Sequence, residues 1–449
     1  MELPEERIPI PRVLTYSTPL VTIFASNALI GLYLLKFATD VVLIAPALVA
    51  AILLVARIWD AVSDPLAGYL SDRTRTRWGR RRPWFAASAL PLGVAIVALW
   101  SPPTSLGSAG LGTWFTVAVL LYYTAYTCFR VPHMAMGAEL SRGYHDRTRV
   151  FGVMQVVETV GMMLGALTLF LLERAESQRE AARLLSIGIA AGTVTLIWVA
   201  TLRIRERSEF QGRGGSSPLS SFRDVLSNPH SRLLVAIFFA EQLGFSGVIA
   251  LLPYISDYVL ETPGNTAVYA GAALVGLMLS IPFWVSIARR AGKQRVWLVS
   301  LLLKVAVLGW FFTLQTGDFG KLIAGTVLFG VLSGCGAVVG PSLKADVVDW
   351  DEARTGERKE GAYFATWNFA QKGAGGIAIW VVGSMLALTG YVPNAVQTEE
   401  ALTGIRVLYS AFPAGLNALA AGLVFRFRLD EAAHRKARLE AETARPRGG

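Results

Sequence analysis

The sequence predicts an all-α membrane protein with about twelve transmembrane helices in two six-helix bundles. The chain has 449 residues, of which 53% are hydrophobic and only 16% are charged, whereas a soluble protein usually carries about a quarter charged residues. Most of the hydrophobic residues form blocks long enough to cross a hydrocarbon core of ~30 Å, which takes about twenty helical residues. These blocks lie in two sets on either side of a long polar segment.

Twelve apolar segments are the predicted spans. A soluble α/β core would instead give shorter apolar runs interrupted by amphipathic helices. The spans of the first half are Leu14–Ala38, Leu43–Leu70, Trp84–Trp100, Leu111–Leu140, Val150–Leu172 and Leu185–Leu202. The spans of the second half are Leu233–Leu260, Ala267–Ile287, Val296–Thr313, Leu322–Val347, Tyr363–Thr389 and Gly404–Phe425.

Arginine and lysine concentrate in alternate loops, namely those that follow the even-numbered spans. The positive-inside rule places such loops in the cytoplasm, and both termini with them, because the number of spans is even. We expect the membrane to be the inner membrane of a bacterium. This topology explains the net charge of +10, so we expect no nucleic-acid partner.

The longest polar segment, residues 206–230, is rich in glycine and serine and is typical of a flexible linker. It predicts an N-terminal six-helix bundle over residues 1–205 and a C-terminal six-helix bundle over residues 231–426, joined by a cytoplasmic linker. Residues 427–449 are charged and rich in alanine, and we expect them to form a cytoplasmic tail.

The two halves carry a weak internal repeat at the ends of spans 2 and 8. The first copy contains Asp72, Arg73, Gly79 and Arg80, and the second, Ala288–Arg295, is degenerate. Parallel six-span halves are typical of the major-facilitator architecture, and the first copy resembles the loop consensus of that group. The arginines could serve as orientation signals only, but the glycine spacing also favours a gate. The predicted gating residues are Asp72, Arg73, Arg80, Arg147 and Arg358.

Span 2 contains two acidic residues, Asp60 and Asp64, whose spacing of four residues stacks both carboxylates on one helix face. Two buried carboxylates repel each other and are costly inside a membrane. A bound cation or proton relieves both costs, and hard cations prefer oxygen ligands. Ser63 adds a hydroxyl, and Pro65 frees backbone carbonyls. The span therefore predicts a coupling-ion site, with structural pairing to Arg57 or another basic group as the alternative.

The segment Asp60–Trp84 resembles the signature of the glycoside–pentoside–hexuronide:cation symporters, the family typified by the melibiose permease. A second signature begins at Asp346 and continues to Gly373. The resemblance implies a major-facilitator fold, and it implies that the aspartates at Asp60 and Asp64 coordinate sodium, lithium or a proton. It also associates Thr127 and Lys372 with that site.

Two positions depart from this family resemblance. The two further aspartates that bind the sugar in the melibiose permease correspond here to Phe24, which is close to Asn27, and to Arg130. A permanently charged guanidinium at this depth requires an anion. The partner could be one of the span-2 aspartates, Glu158 in span 5, or an acidic solute held by a bidentate contact.

Other side chains are candidates for solute contact. Tyr126 and Trp367 could stack on a sugar ring or pack internally, and His133 could be a solute contact or a hydrogen-bonded core residue. Glu241 in span 7 and the run around Arg130 also resemble the animal sodium-dependent lysophospholipid symporters. The predicted solute-binding residues are Arg130, Phe24, Asn27, Tyr126, His133, Trp367, Lys372 and Glu241.

The sequence contains no phosphate-binding loop, no Cys/His cluster with metal-ligand spacing and no nucleophile elbow. We therefore expect a transporter and not an enzyme, with no cofactor besides the coupling ion, Na⁺ or H⁺. The predicted function is cation-coupled symport of a glycoside, pentoside or uronide-like solute, possibly acidic, by alternating access. The alternative is a sodium-dependent transporter of lysophospholipids or other amphiphiles. We expect a monomer whose partners are the solute, the cation and membrane lipid.

Overall fold

The computed structural model describes residues 8–140, 144–206, 225–355 and 360–427, except for the side chains of residues 138, 144–148, 360 and 361. The predicted gating side chains of Arg147 and Arg358 lie outside the described residues, as do the predicted tail and most of the predicted linker. The described chain folds as two compact units. The N-terminal unit includes Pro393–Ala395 together with the described residues up to 206, and the C-terminal unit contains the remainder.

Long helices make up the described part of the N-terminal unit. They are α1 (Ile10–Leu32), α2 (Pro46–Arg73), α3 (Arg82–Trp100), α4 (Ser108–Glu139), α5 (Tyr144–Glu173) and α6 (Gln178–Arg203). A π-helical turn, Phe37–Val41, lies between α1 and α2. A proline at the first turn begins α2, where its missing N–H would have no helical partner in any case.

The C-terminal unit has the same order of long helices. They are α7 (Pro229–Val259), α8 (Thr266–Ala291), α9 (Lys293–Phe311), α10 (Phe319–Thr355), α11 (Glu360–Leu388) and α12 (Glu399–Arg426). Asn228 caps α7 by accepting hydrogen bonds from the backbone N–H groups of His230 and Ser231. A π-helical turn, Ile255–Val259, ends α7, and Ser410 interrupts α12.

The predicted all-α membrane class is confirmed. Within the described residues, eleven helices are long and apolar enough to cross a membrane. The remaining predicted span corresponds to α4, which has 32 residues and is long enough, but whose tyrosines, threonines and arginine make it less apolar. The count of twelve spans therefore stays a prediction.

Glycines allow helices to approach closely inside each unit. In the N-terminal unit, a Cβ atom added at Gly165 of α5 would lie 2.7 Å from the carbonyl oxygen of Ala25 in α1. In the C-terminal unit, Gly330 of α10 lies directly against the carbonyl oxygen of Ala273 in α8. Small residues at such contacts are typical of helix packing in membranes. The α1–α5 contact brings together the two helices that hold Phe24 and Glu158.

Candidate cation and solute site

Three oxygen-bearing side chains of α2 converge on one hydroxyl group of α4. Thr127 Oγ1 lies 3.1 Å from Oδ1 of Asp60 and 3.0 Å from Oδ1 of Asp64. Ser63 Oγ lies 3.3 Å from Thr127 Oγ1 and 3.1 Å from the carbonyl oxygen of Asp60. Asp60 is fully buried, and Asp64 is half-buried. We call these four residues the oxygen cluster, and they are the four residues predicted for the cation site.

Thr127 is a shared hydrogen-bond neighbour of the two carboxylates in the oxygen cluster. A threonine hydroxyl carries a single proton, so Thr127 donates to only one of its two carboxylate neighbours at a time. Both carboxylate oxygens contact this hydroxyl and thus lie within about 6 Å of each other. Two negative charges at that distance repel by roughly 3 kcal/mol at an effective dielectric constant of ~20. A monovalent cation or a proton held by the cluster would relieve this repulsion.

Arg57, the alternative partner for these aspartates, directs its guanidinium toward an aromatic ring of α4. Its guanidinium carbon is 4.9 Å from the centre of the Tyr123 ring, which is a cation–π distance. Within the part of the chain that the structure describes, Arg57 forms no ion pair with either aspartate.

The second feature of the N-terminal unit is the ion pair of Arg130 on α4 with Glu158 on α5. Arg130 Nη2 donates to Glu158 Oε1 at 2.8 Å, and the two side chains are 18% and 12% exposed. The guanidinium also lies over the ring of Phe24, 5.2 Å from its centre. Arg130 Nη1 is buried and has no hydrogen-bond partner among the described residues. The sequence left three possible partners for Arg130, and the structure shows Glu158 in contact with it. The Nη1 nitrogen of Arg130 remains available for another acceptor.

A polar strip connects this ion pair to the rest of α4. Tyr122, Tyr126 and Arg130 follow each other at four-residue intervals, which places them on one helix face. The Tyr122 hydroxyl donates to Asn27 Oδ1 at 3.0 Å, and its ring is parallel to that of Tyr126 with centres 6.2 Å apart. Asn27 and Tyr126, both predicted solute contacts, thus lie along the same strip as Arg130.

His133 lies in the packed core of the N-terminal unit. Its ring is stacked on Tyr16 with centres 4.1 Å apart and is 4.9 Å from that of Phe129. Its Nε2 is 3.0 Å from the carbonyl oxygen of Tyr16, and the side chain is fully buried. This position matches the core interpretation that the sequence left open, while the solute contact stays a prediction.

Glu241, the predicted solute contact in α7, is part of a buried charge cluster in the C-terminal unit. Lys304 Nζ of α9 donates to Glu241 Oε1 at 2.5 Å, and Trp297 Nε1 donates to Oε2 at 3.3 Å. Lys304 is a functional candidate that the sequence analysis missed. A single lysine inside the apolar run of span 9 was the available signal, by the same rule that selected the other charges inside spans.

The remaining predicted solute contacts lie on α11. Trp367 is buried and packs edge-on against Tyr363 and Phe364, with ring centres 5.6 Å apart in both pairs. Lys372 is half-buried on the same helix. Its predicted association with the aspartates of α2 concerns a different unit and stays a prediction.

The predicted gate residues Asp72 and Arg80 belong to an ion-pair network at the end of α2. Arg81 Nη2 lies 2.9 Å from Asp72 Oδ1 and 2.8 Å from Glu139 Oε1, and Arg80 Nη2 lies 2.6 Å from the same Glu139 oxygen. Arg73 is outside this network, because its guanidinium lies over the Tyr69 ring at 3.9 Å. Within the N-terminal unit the network ties α2, α3 and α4 together.

Glu206 completes this network at the start of α3. Its carboxylate accepts hydrogen bonds from the backbone N–H groups of Arg80, Arg81 and Arg82 at 2.7–2.9 Å. A carboxylate is favoured there because a helix N-terminus carries a partial positive charge. Gly79, with φ +105, lies against this carboxylate, where a Cβ would be 2.5 Å from the carboxyl carbon. Local sequence gave no signal for Glu206, which is 126 positions from Arg80.

Two units of long apolar helices, with a buried oxygen cluster and charged groups inside the spans, define an integral membrane transporter. The particular family follows from comparison with known proteins. The family model for MFS/sugar transport proteins matches residues 15–431. The chain therefore belongs to this family, and the predicted resemblance to the sugar:cation symporters is confirmed.

Three relatives cover most of the chain. A putative glycoside/cation symporter, YagG, of Escherichia coli is 27% identical over 85% of this chain and 84% of its own length. A putative sulfoquinovose importer of Salmonella typhimurium is 27% identical over 91% and 88%. The sodium-dependent lysophosphatidylcholine symporter 1 of Gallus gallus is 23% identical over 96% and 89%.

The fold is also that of solved transporters. The crystal structure of a D-xylose-proton symporter superposes with a TM-score of 0.67 at 14% identity, covering 92% of this chain and 97% of that one. At this level of identity the likeness concerns the fold alone. It supports the predicted major-facilitator fold class.

Proposed function

We propose that this protein is a secondary active transporter that moves a small sugar-like solute together with Na⁺ or H⁺ by alternating access. The observation that carries the proposal is the oxygen cluster, in which the carboxylates of Asp60 and Asp64 converge on the hydroxyl of Thr127. Binding a cation or proton removes a repulsion that otherwise opposes the folded arrangement. The occupancy of the cluster thus gives the energetic link through which an ion gradient drives solute movement.

The solute is a glycoside, pentoside or uronide-like molecule, and the polar strip favours one with an acidic group. Arg130 offers one nitrogen without a partner in the described chain, and a guanidinium suits the planar, bidentate contact of a carboxylate or sulfonate. The sulfoquinovose importer is a relative whose named sugar is acidic. The ring of Phe24 under the guanidinium and that of Tyr126, four residues earlier on α4, supply apolar surface for a sugar ring.

A lysophospholipid is the second candidate solute. The chicken lysophosphatidylcholine symporter aligns with 96% of this chain, and the free nitrogen of Arg130 would bind a phosphate as readily as a carboxylate. The protein would then work as a monomer in the bacterial inner membrane with both termini in the cytoplasm, as for a sugar. These two solute classes differ in the apolar volume that the pathway must accept.

Uptake into proteoliposomes tests the function. A neutral methyl glucoside, methyl glucuronide, a sulfonated sugar and lysophosphatidylcholine are each offered with a sodium gradient, a proton gradient or no gradient. We expect gradient-dependent uptake of at least one sugar by the wild type. Uptake of the lysolipid without any sugar response would select the second candidate.

The matched variants separate the ion site from general damage. Asp60→Asn and Asp64→Asn are expected to lose the gradient dependence. Asp318→Asn, which removes a loop carboxylate paired with Lys321 at 2.8 Å, is expected to keep it. Unchanged ion dependence in both cluster variants would refute the coupling mechanism.

A further inference from the structure

The face of α10 that packs against α7 carries Gly336, Gly340 and Lys344 at four-residue intervals. A Cβ at Gly336 would lie 3.0 Å from Glu241 Oε1, and one at Gly340 would lie 2.8 Å from the Phe238 ring. The two glycines therefore bring α10 close to α7. Lys344 is the next residue along this face and the first with a side chain long enough to reach across.

Lys344 places its ammonium group against two aromatic rings. Its Nζ lies 4.6 Å from the centre of the Phe238 ring and 5.5 Å from that of Trp367, both within cation–π range. Phe238 is the tenth residue of α7, about 14 Å along the helix from its first residue. The charge therefore lies against side chains of α7 and α11.

The acids around Lys344 are already engaged with other lysines. Glu241 pairs with Lys304 at 2.5 Å, and Asp346, two positions from Lys344, pairs with Lys293 at 2.6 Å. Among the described residues Lys344 has no ion pair. Aromatic faces attract a cation but do not neutralise it, so neither Glu241 nor Asp346 nor the two rings neutralise the charge of Lys344.

A second donor lies beside this charge. Trp367 is 2% exposed, and its buried Nε1 has no hydrogen-bond partner among the described residues. Indole N–H and ammonium groups can only donate. A buried donor without an acceptor is energetically unfavourable. The Lys344 ammonium and the Trp367 indole N–H therefore both require an oxygen acceptor, preferably an anionic one.

We propose that Lys344 and Trp367 form a second binding site, separate from Arg130, for an acidic group of a transported molecule, a carboxylate, sulfonate or phosphate. Lys344 supplies the charge, the Trp367 indole N–H supplies a directed hydrogen bond, and Phe238 holds the ammonium in place. The site deepens the proposed function, since it selects acidic over neutral solutes, and it rests on that function only for the claim that the bound molecule is carried. The acid group could belong to a soluble sugar acid or to a lipid headgroup.

Binding to the purified protein in neutral detergent tests the site without any ion gradient. The probes are methyl glucuronide, the neutral methyl glucoside and lysophosphatidylglycerol, measured by isothermal titration. Lys344→Met removes the charge and keeps most of the side-chain volume, Lys344→Arg keeps the charge, and Trp367→Phe keeps a ring but removes the N–H. Lys321→Met, in the first turn of α10, is the matched control.

We expect Lys344→Met to weaken binding of an acidic probe at least about tenfold, while Lys344→Arg and the Lys321→Met control stay within about threefold of the wild type. Trp367→Phe should weaken the same probe severalfold. If the binding of methyl glucuronide depends on Lys344, the ligand is a sugar acid. If only the binding of the lysolipid depends on Lys344, the ligand is a lipid headgroup. Equal binding of both acidic probes by the wild type and Lys344→Met, or equal loss in Lys344→Met and Lys344→Arg, would overturn the proposal.

A failure of the proposed Lys344 site can be distinguished from a failure of the proposed function. Loss of ion coupling is measured with the Asp60→Asn variant in a gradient, whereas the Lys344 effect is measured at equilibrium. A protein with no cation-dependent uptake but with Lys344-dependent binding of an acidic probe would retain the site and reject the coupling.

Discussion

Replacing Thr127 with valine tests the oxygen cluster with little change in shape. Valine has nearly the same volume as threonine but no hydroxyl, so the variant removes a group that contacts both Asp60 and Asp64, at 3.1 and 3.0 Å. The hydroxyl proton forms one hydrogen bond to a charged acceptor, and its oxygen is a potential cation ligand.

A hydrogen bond to a charged group contributes about 1.5–3 kcal/mol, and each ~1.4 kcal/mol changes an affinity tenfold. Thr127→Val should therefore weaken the apparent affinity for the coupling cation by roughly 10- to 150-fold. The maximal uptake rate at saturating cation should fall much less, because both carboxylates remain.

The assay is solute uptake as a function of sodium concentration, repeated as a function of pH, alongside sodium titration of the purified protein. Thr116→Val is the control, since Thr116 is on the same helix and its hydroxyl donates to the carbonyl oxygen of Gly112 at 2.8 Å. If Thr127→Val and Thr116→Val show the same dependence on sodium and on pH as the wild type, the cluster is not the ion site.

Two further variants test the polar strip and the helix packing. Glu158→Gln removes the charge that competes for Arg130 at 2.8 Å, so KM for an acidic solute should fall about three- to tenfold (~0.7–1.4 kcal/mol) in competition uptake, and an unchanged or higher KM would contradict this. Gly165→Ala places a Cβ 2.7 Å from the carbonyl oxygen of Ala25 and should destabilise the protein by about 1–3 kcal/mol. Gly152→Ala on the same helix meets nothing within 4 Å and should not lower Tm, so equal Tm values by scanning fluorimetry would count against the close α1–α5 contact.

The sequence predicted the membrane class and the positions of the helices well, because long apolar runs are a direct physical requirement of the bilayer. The spacing of Asp60 and Asp64 was also enough to predict that their carboxylates share a helix face. Thr127 could be added only through the family resemblance, since nothing in the local pattern of α4 indicates which of its threonines faces α2.

Contacts between distant segments were harder to predict. The sequence left three partners open for Arg130, and the choice of Glu158 depends on the packing of α4 against α5. Lys304 was visible as a charge in an apolar run but had no neighbour in sequence to suggest its pairing with Glu241. Glu206 is the extreme case, because its role at the start of α3 depends entirely on where α6 ends.

The oxygen cluster also bears on how the membrane potential would act on uptake. If the cluster takes up a single monovalent cation, as proposed, and that cation enters with a monoanionic solute held by Arg130, the pair crosses with no net charge. The voltage then contributes nothing to accumulation. A neutral solute with the same cation would carry one charge and gain about 2.3 kcal/mol per 100 mV. Uptake currents would thus distinguish acidic from neutral cargo by electrical means alone.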